Sequence, residues 1–171
     1  MSKQAERLNA IIEHLLSLSR LEQGSEKSAF SKEKTTLLQI LESAIRDCER
    51  KALEKNTSIK LNCADELEVI ANSPLLNLAV LNLVDNALKY SEPDGKIEVK
   101  ALATETAIVI EVQDWGCGID SIHLARLFER FYRVYQARSR QLGCTGLGLA
   151  IVKHIAQAYG GSVSVNSTLG Y

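Results

Sequence analysis

The sequence predicts an α+β fold: a two-layer sandwich with helices over one face of a mixed, mostly antiparallel sheet, and an extra helix at the N-terminus. Three observations predict it. Long helical periodicities near 36–55 and 73–90 are separated from short β-rich runs rather than alternating regularly with them. Two of those runs, 96–103 and 107–113, are joined only by Thr104, Glu105 and Thr106, as in a hairpin. The first helical stripe is cut off from the rest by Gly24 and Ser25.

That first stripe covers residues 4–23, with Leu8, Ile11, Leu15 and Leu18 three or four apart and Ile12 and Leu16 widening it. An exposed apolar stripe of this kind needs a partner, either its own domain or a second copy in a helical homodimer. Residues 25–35 read as a polar linker, so the chain divides into 1–24, 25–35 and a main domain 36–171. Within the last, a helix at 36–55 precedes strands at 58–63 and 67–71. Ser73 as N-cap and Pro74 at the first helical position then start a helix ending near Tyr90. Pro93, Asp94 and Gly95 turn the chain into the hairpin. A short helix at 121–128, an arginine-rich segment, a helix at 145–159 ended by Gly160 and Gly161, and a strand at 162–166 complete the chain.

Bulk properties exclude several classes. The 171 residues are 46% apolar and 24% charged, ordinary globular values. No run approaches the roughly 20 apolar residues of a membrane span, and the opening residues are polar rather than a leader, so a cytoplasmic location is expected. A net charge of −1 argues against nucleic acid as a partner. Cys48, Cys63, Cys117 and Cys144 form no Cys-x-x-Cys pair, which fits reduced thiols and no structural metal.

Chemistry concentrates at four places. On the 73–90 helix, a rotation of about 100° per residue puts Asn82, Asn86 and Lys89 in one narrow arc beside the apolar arc of Leu76, Val80, Leu83, Val84 and Ala87. Asp114 precedes Gly116 and Gly118 at a strand end, where a carboxylate can accept from an exocyclic amine and glycine lets backbone approach a flat ligand. Residues 126–140 hold five arginines and one acid around Phe128-Glu-Arg-Phe-Tyr-Arg133. Gly143-Cys-Thr145-Gly146-Leu147-Gly148 leads into a helix, the arrangement that offers free N–H groups to phosphate. It is neither a Walker loop nor a dinucleotide fingerprint. Taken singly, each also reads as a solvated face, a strand-end turn, a basic loop or a plain helix start.

Together and in this order, the four boxes resemble the ATPase domain of sensor histidine kinases of two-component signalling, of the Bergerat ATP-binding fold shared with gyrase-type ATPases. Leu15-Leu-Ser-Leu-Ser-Arg-Leu-Glu22 also resembles the end of the second dimerisation helix of these kinases. The resemblance implies ATP and Mg²⁺ as cofactors, with Asn86 as the metal ligand and Asn82 near the metal's water or the reacting phosphate. It implies that Lys89 binds phosphate and Tyr90 packs beside the nucleotide. Asp114 would read adenine, with Gly116 and Gly118 permitting the approach and Ile119 beside them. Thr145, Gly146, Leu147 and Gly148 would line the phosphates, and Arg133 would reach the terminal phosphate from a lid.

Four features depart from the family pattern. Asn72 stands where relatives often have Asp, and Cys144 where they often have Gly. The sequence ends at Tyr171, where relatives run through another strand, so a shortened sheet or a compensating edge is expected. No histidine followed by an acidic residue and Thr-Pro occurs, and His14, His123 and His154 read as ordinary histidines. The implied function is therefore that of a catalytic fragment. It transfers the γ-phosphoryl of Mg·ATP to a histidine on a separate dimerisation domain, for phosphorelay to a response regulator receiver domain, and does not autophosphorylate alone. The alternatives are a serine kinase of the anti-sigma-factor type, against which the N-terminal stripe speaks, and a nucleotide-binding interaction module without chemistry. Asn82, lacking a carboxylate to orient water, favours transfer over hydrolysis.

Overall fold

The computed structural model describes residues 32–134 and 144–170. These fall into two compact units, one reaching Gly118 and including Gly170, the other Ile119–Leu169.

The first unit contains β1 (Glu33–Thr36), α1 (Leu37–Glu54), β2 (Ser58–Cys63), β3 (Glu68–Ala71), α2 (Ser73–Tyr90), β4 (Lys96–Ala103) and β5 (Ile108–Asp114). β1 and β3 pair antiparallel, whereas β2, β4 and β5 form a mixed sheet, parallel between β2 and β4 and antiparallel between β4 and β5. Strict alternation on β2 turns Ile59, Leu61 and Cys63 inward beside the buried Ile97, Val99 and Ala101 of β4. Onto this layer pack Leu37, Leu41, Ala44, Cys48 and Ala52 of α1, and Val80, Val84, Ala87 and Leu88 of α2. The fold class is the expected α+β arrangement of helices on a mixed sheet.

Two local expectations change here. Residues 33–35 are not linker, because β1 pairs with β3 from Glu33↔Ala71 to Thr36↔Glu68. A Glu-Lys-Thr-Thr run shows no apolar alternation, so only the non-local partner makes it a strand. The N-cap of α2 is Asn72 rather than Ser73: its side chain accepts the Leu75 N–H at 3.0 Å, which moves Pro74 to the second helical position. The far end of α2 is held from outside by Lys55, whose Nζ donates to the carbonyl of Leu88 at 2.6 Å and to that of Ser91. A cation here also faces the negative end of the helix dipole. The hairpin closes through Thr104, whose hydroxyl accepts the Ala107 N–H at 3.0 Å.

In the second unit, α3 (Ser121–Leu124) is shorter than expected, continuing as turns, and is capped by Asp120 accepting from Ile122 N–H. α4 (Gly148–Ala158) begins at the last glycine of its box rather than at Thr145. Past its C-cap, Tyr159, the chain turns away at Gly160, φ +74°, with Gly161 N–H on the Ala156 carbonyl at 2.8 Å. The strand expected at 162–166 is absent: exposure alternates along it, but it joins no ladder among the described residues. The N-terminal helix expected at 4–23, its homodimer and residues 135–140 of the arginine-rich segment lie outside the described residues. Among the described residues, no helix is long and apolar enough to cross a membrane.

Candidate functional site

On α2, Asn82, Asn86, Lys89 and Tyr90 are all half-buried, as expected of residues at the edge of an apolar stripe. The Nδ2 of Asn82 donates to the Leu78 carbonyl at 2.8 Å, one turn back, which aligns the side chain along the helix and leaves its oxygen uncommitted by that bond. Asn86 makes no hydrogen bond to a described residue, so its carboxamide oxygen is a neutral donor in waiting. Magnesium suits such a donor set, because it takes hard oxygen ligands and keeps several waters and phosphate oxygens of its own.

Lys89 is engaged. Its Nζ lies 2.6 Å from Asp85 Oδ2, and the other oxygen of Asp85 takes Lys51 from α1. Burial pushes the Asp85 carboxyl up, but Lys89 and Lys51 together outweigh it and hold the group below its ordinary value. A depressed folded-state value stabilises the fold above the unfolded value of roughly 3.9 and is lost as pH falls through the lower folded one. The stability gap between wild type and Asp85→Asn, from urea midpoints, should therefore be largest near neutrality and close below about pH 4. Beneath this cluster, burial first and Asp85 second push the Cys48 thiol up to about 11, so it stays protonated.

Asp114 is the last residue of β5 and folds back on its own turn, Oδ1 accepting the Gly116 N–H at 2.9 Å. That leaves Oδ2 able to accept from a ligand. Gly116 is buried against the end of α2: a Cβ there would lie 2.5 Å from the Tyr90 carbonyl oxygen and 2.8 Å from Asp114 Oδ1. Only glycine permits this approach, which ties the carboxylate to the helix carrying Asn82, Asn86 and Lys89. Gly118 has φ +69° and turns the chain out of the box.

In the second unit, Ile119 N–H donates to Ser167 Oγ at 2.9 Å. The segment ending in Arg133 lies against the last glycine box. Phe131 N–H donates to the Gly146 carbonyl at 2.8 Å, and Arg133 Nη2 to the Thr145 carbonyl at 3.1 Å. Gly146, φ +75°, has no room for a Cβ, which would sit 2.8 Å from Phe131 Cα. Thr145 Oγ1 accepts the Leu147 N–H at 3.2 Å, whereas Leu147, the N-cap of α4, supplies no side-chain cap, and the first turn holds no acid. The first turn of α4 itself therefore places no carboxylate at the helix start. Arg133 Nε is buried without a partner among the described residues, an orphan donor that an anion would satisfy. Tyr132 is braced by His123 Nδ1 at 2.6 Å and by the Arg126 guanidinium over its ring.

Asp85, Lys51 and Lys55 escaped the sequence reading. The i,i+4 spacing of Asp85 and Lys89 was visible and signals an ion pair. Nothing local pointed to Lys51 of α1 or to Lys55 just beyond its end, which reach α2 only through tertiary packing.

Residues 71–171 match the family described as "Histidine kinase-, DNA gyrase B-, and HSP90-like ATPase", and the chain belongs to it. Within that family the likeness is to the catalytic ATP-binding part of sensor kinases. The chain is 36% identical over 171 residues to the phosphate regulon sensor protein PhoR of Pseudomonas aeruginosa, covering 99% of this chain and 38% of PhoR. It is 36% identical over 175 residues to the sensor histidine kinase RppB of Synechocystis, covering 99% of this chain and 37% of RppB. The chain therefore spans less than two fifths of these relatives. Among solved structures, full-length ShkA in complex with AMPPNP superimposes with a TM-score of 0.82 at 26% identity, covering 98% of this chain and 34% of ShkA.

Proposed function

We propose that this chain binds Mg·ATP and, in the protein it serves, transfers the γ-phosphoryl group to a histidine of a dimerisation domain, from which a response regulator receiver domain takes it. The observation that carries the reading is the close approach of Gly116 to the Tyr90 carbonyl, which fixes an adenine-reading carboxylate, Asp114, to the helix bearing Asn82 and Asn86. The ATP analogue in the ShkA complex is consistent with it.

Asp114 Oδ2 accepts from the adenine amine, while Tyr90 packs beside the nucleotide. Asn86 would offer its oxygen to a bound Mg²⁺, with Asn82 alongside, and the metal would supply charge neutralisation at the phosphates. Thr145, Gly146, Leu147 and Gly148 present the start of α4 to the phosphates, and Arg133 brings a guanidinium whose Nε still lacks a partner. An incoming imidazole nitrogen, already nucleophilic near neutral pH, forms the N–P bond as the bond to the bridging oxygen breaks and ADP leaves. No strong general base is required, in keeping with Asn rather than a carboxylate at position 82. Catalysis then rests on positioning and charge neutralisation.

The test is phosphorylation in trans. A histidine-bearing dimerisation domain from a sensor kinase, supplied with this chain and γ-labelled ATP, should acquire label that is lost in acid and kept in base, as a phosphoramidate requires. Acid-stable label on a hydroxyl would instead identify a serine kinase, and ATP binding without transfer to any supplied domain would identify an interaction module.

A further inference from the structure

Asp85 holds two cations at once: Lys89 on one carboxylate oxygen and Lys51 on the other. The Asp85 side chain is only 19% exposed and Lys89 28%, whereas Lys51, on the rim of α1, is 52% exposed. The packing of Ala44, Cys48 and Ala52 of α1 against the α2 stripe brings Lys51 to this place.

The arrangement poses a problem for a phosphate-binding lysine. With Asp85 as its only neighbour, Lys89 would be a neutralised partner in an i,i+4 pair, and a triphosphate would have to compete with the carboxylate for it. Turning away would also leave a half-buried carboxylate unpaired, which is costly. A second cation removes both obstacles: the trio carries a net positive charge, and Asp85 keeps a partner when Lys89 leaves. We propose that Lys51 is a positioning residue for the nucleotide, holding Asp85 so that Lys89 is free to turn to the phosphates. The inference rests on the reading of Lys89 as a phosphate ligand.

Titration of the 171-residue chain with Mg·ATP and with adenosine tests it. Lys51→Met should weaken Mg·ATP binding by about two- to fivefold, the range of a single partly exposed ion pair, and leave adenosine binding unchanged. Lys51→Arg should restore it. In the Asp85→Asn background, Lys51→Met should have no further effect, because no carboxylate remains to hold Lys89 back. For Lys51→Met, three results would overturn the proposal: unchanged Mg·ATP binding, an equal loss for adenosine, or an equal loss in the Asp85→Asn background, which would mark Lys51 as a simple long-range attractor. Unchanged Mg·ATP binding by Lys89→Met would remove Lys89 from the phosphates and overturn the proposal too. Asn86→Ala tests the Mg·ATP reading independently of either lysine.

Discussion

Gly116→Ala should lose nucleotide binding by roughly 10- to 100-fold, for ATP and adenosine alike, the loss expected when a hydrogen bond to a charged group, worth about 1.5–3 kcal/mol, is broken. The added methyl would meet the Tyr90 carbonyl oxygen at 2.5 Å, a backbone atom with little room to give, and the Asp114 side-chain oxygen Oδ1 at 2.8 Å. Relief must come either from moving the turn away from α2 or from breaking the Asp114 hydrogen bond to the 116 N–H. Either movement takes the adenine-reading carboxylate out of place. Overpacking of this kind costs about 1–3 kcal/mol of stability, so the variant should remain folded with a lowered urea midpoint. Isothermal titration and denaturation on the same sample separate the two effects, and full adenosine affinity in a folded Gly116→Ala variant would show that Asp114 does not read the base.

Gly146→Ala should fail differently. Its φ of +75° costs an alanine about 1–2 kcal/mol, and the Cβ would press 2.8 Å from the backbone of Phe131. Phe131 is itself left-handed, φ +64°, and gives its N–H to the Gly146 carbonyl, so it cannot shift without losing that bond. The same movement would unseat Arg133 from the Thr145 carbonyl. Only the phosphate-binding groups are disturbed, so ATP affinity should fall by roughly tenfold or more while adenosine affinity is kept, since hydrogen bonds to a charged group are worth about 1.5–3 kcal/mol. The contrast between the two glycine variants assigns one box to the base and the other to the phosphates; a parallel loss of adenosine in Gly146→Ala would contradict that division.

Much of the first unit was legible because its signals are local. Helix α2 occupies Ser73–Tyr90 as expected, since Pro74 admits a helix start and Pro93-Asp94-Gly95 forbids its continuation. Rotation along it also placed Asn82, Asn86 and Lys89 at the margin of the buried stripe without any structure. The misses have a common cause. β1 is a strand only because β3 lies beside it, and residues 162–166 alternate like a strand yet join no ladder among the described residues. Pairing is non-local, so alternation is neither necessary nor sufficient for it. The N-cap moved by one residue because Asn72 and Ser73 are both good caps and only the carbonyl position at Leu75 N–H decides. In the site, the residue types of all four boxes were readable, but their restraints were not. The Gly116 approach to Tyr90, the lysine pair on Asp85 and the orphan Nε of Arg133 arise from packing between segments far apart in sequence.

The central claim is that Asn86 holds the metal of a bound Mg·ATP. Titrating wild type and Asn86→Ala with ATP, with and without Mg²⁺, tests it most directly. Wild type should bind far more tightly with Mg²⁺, while Asn86→Ala should bind equally with and without it, at the wild-type metal-free affinity. Undiminished Mg²⁺-dependent binding by Asn86→Ala would contradict the assignment and, with it, the site built around α2.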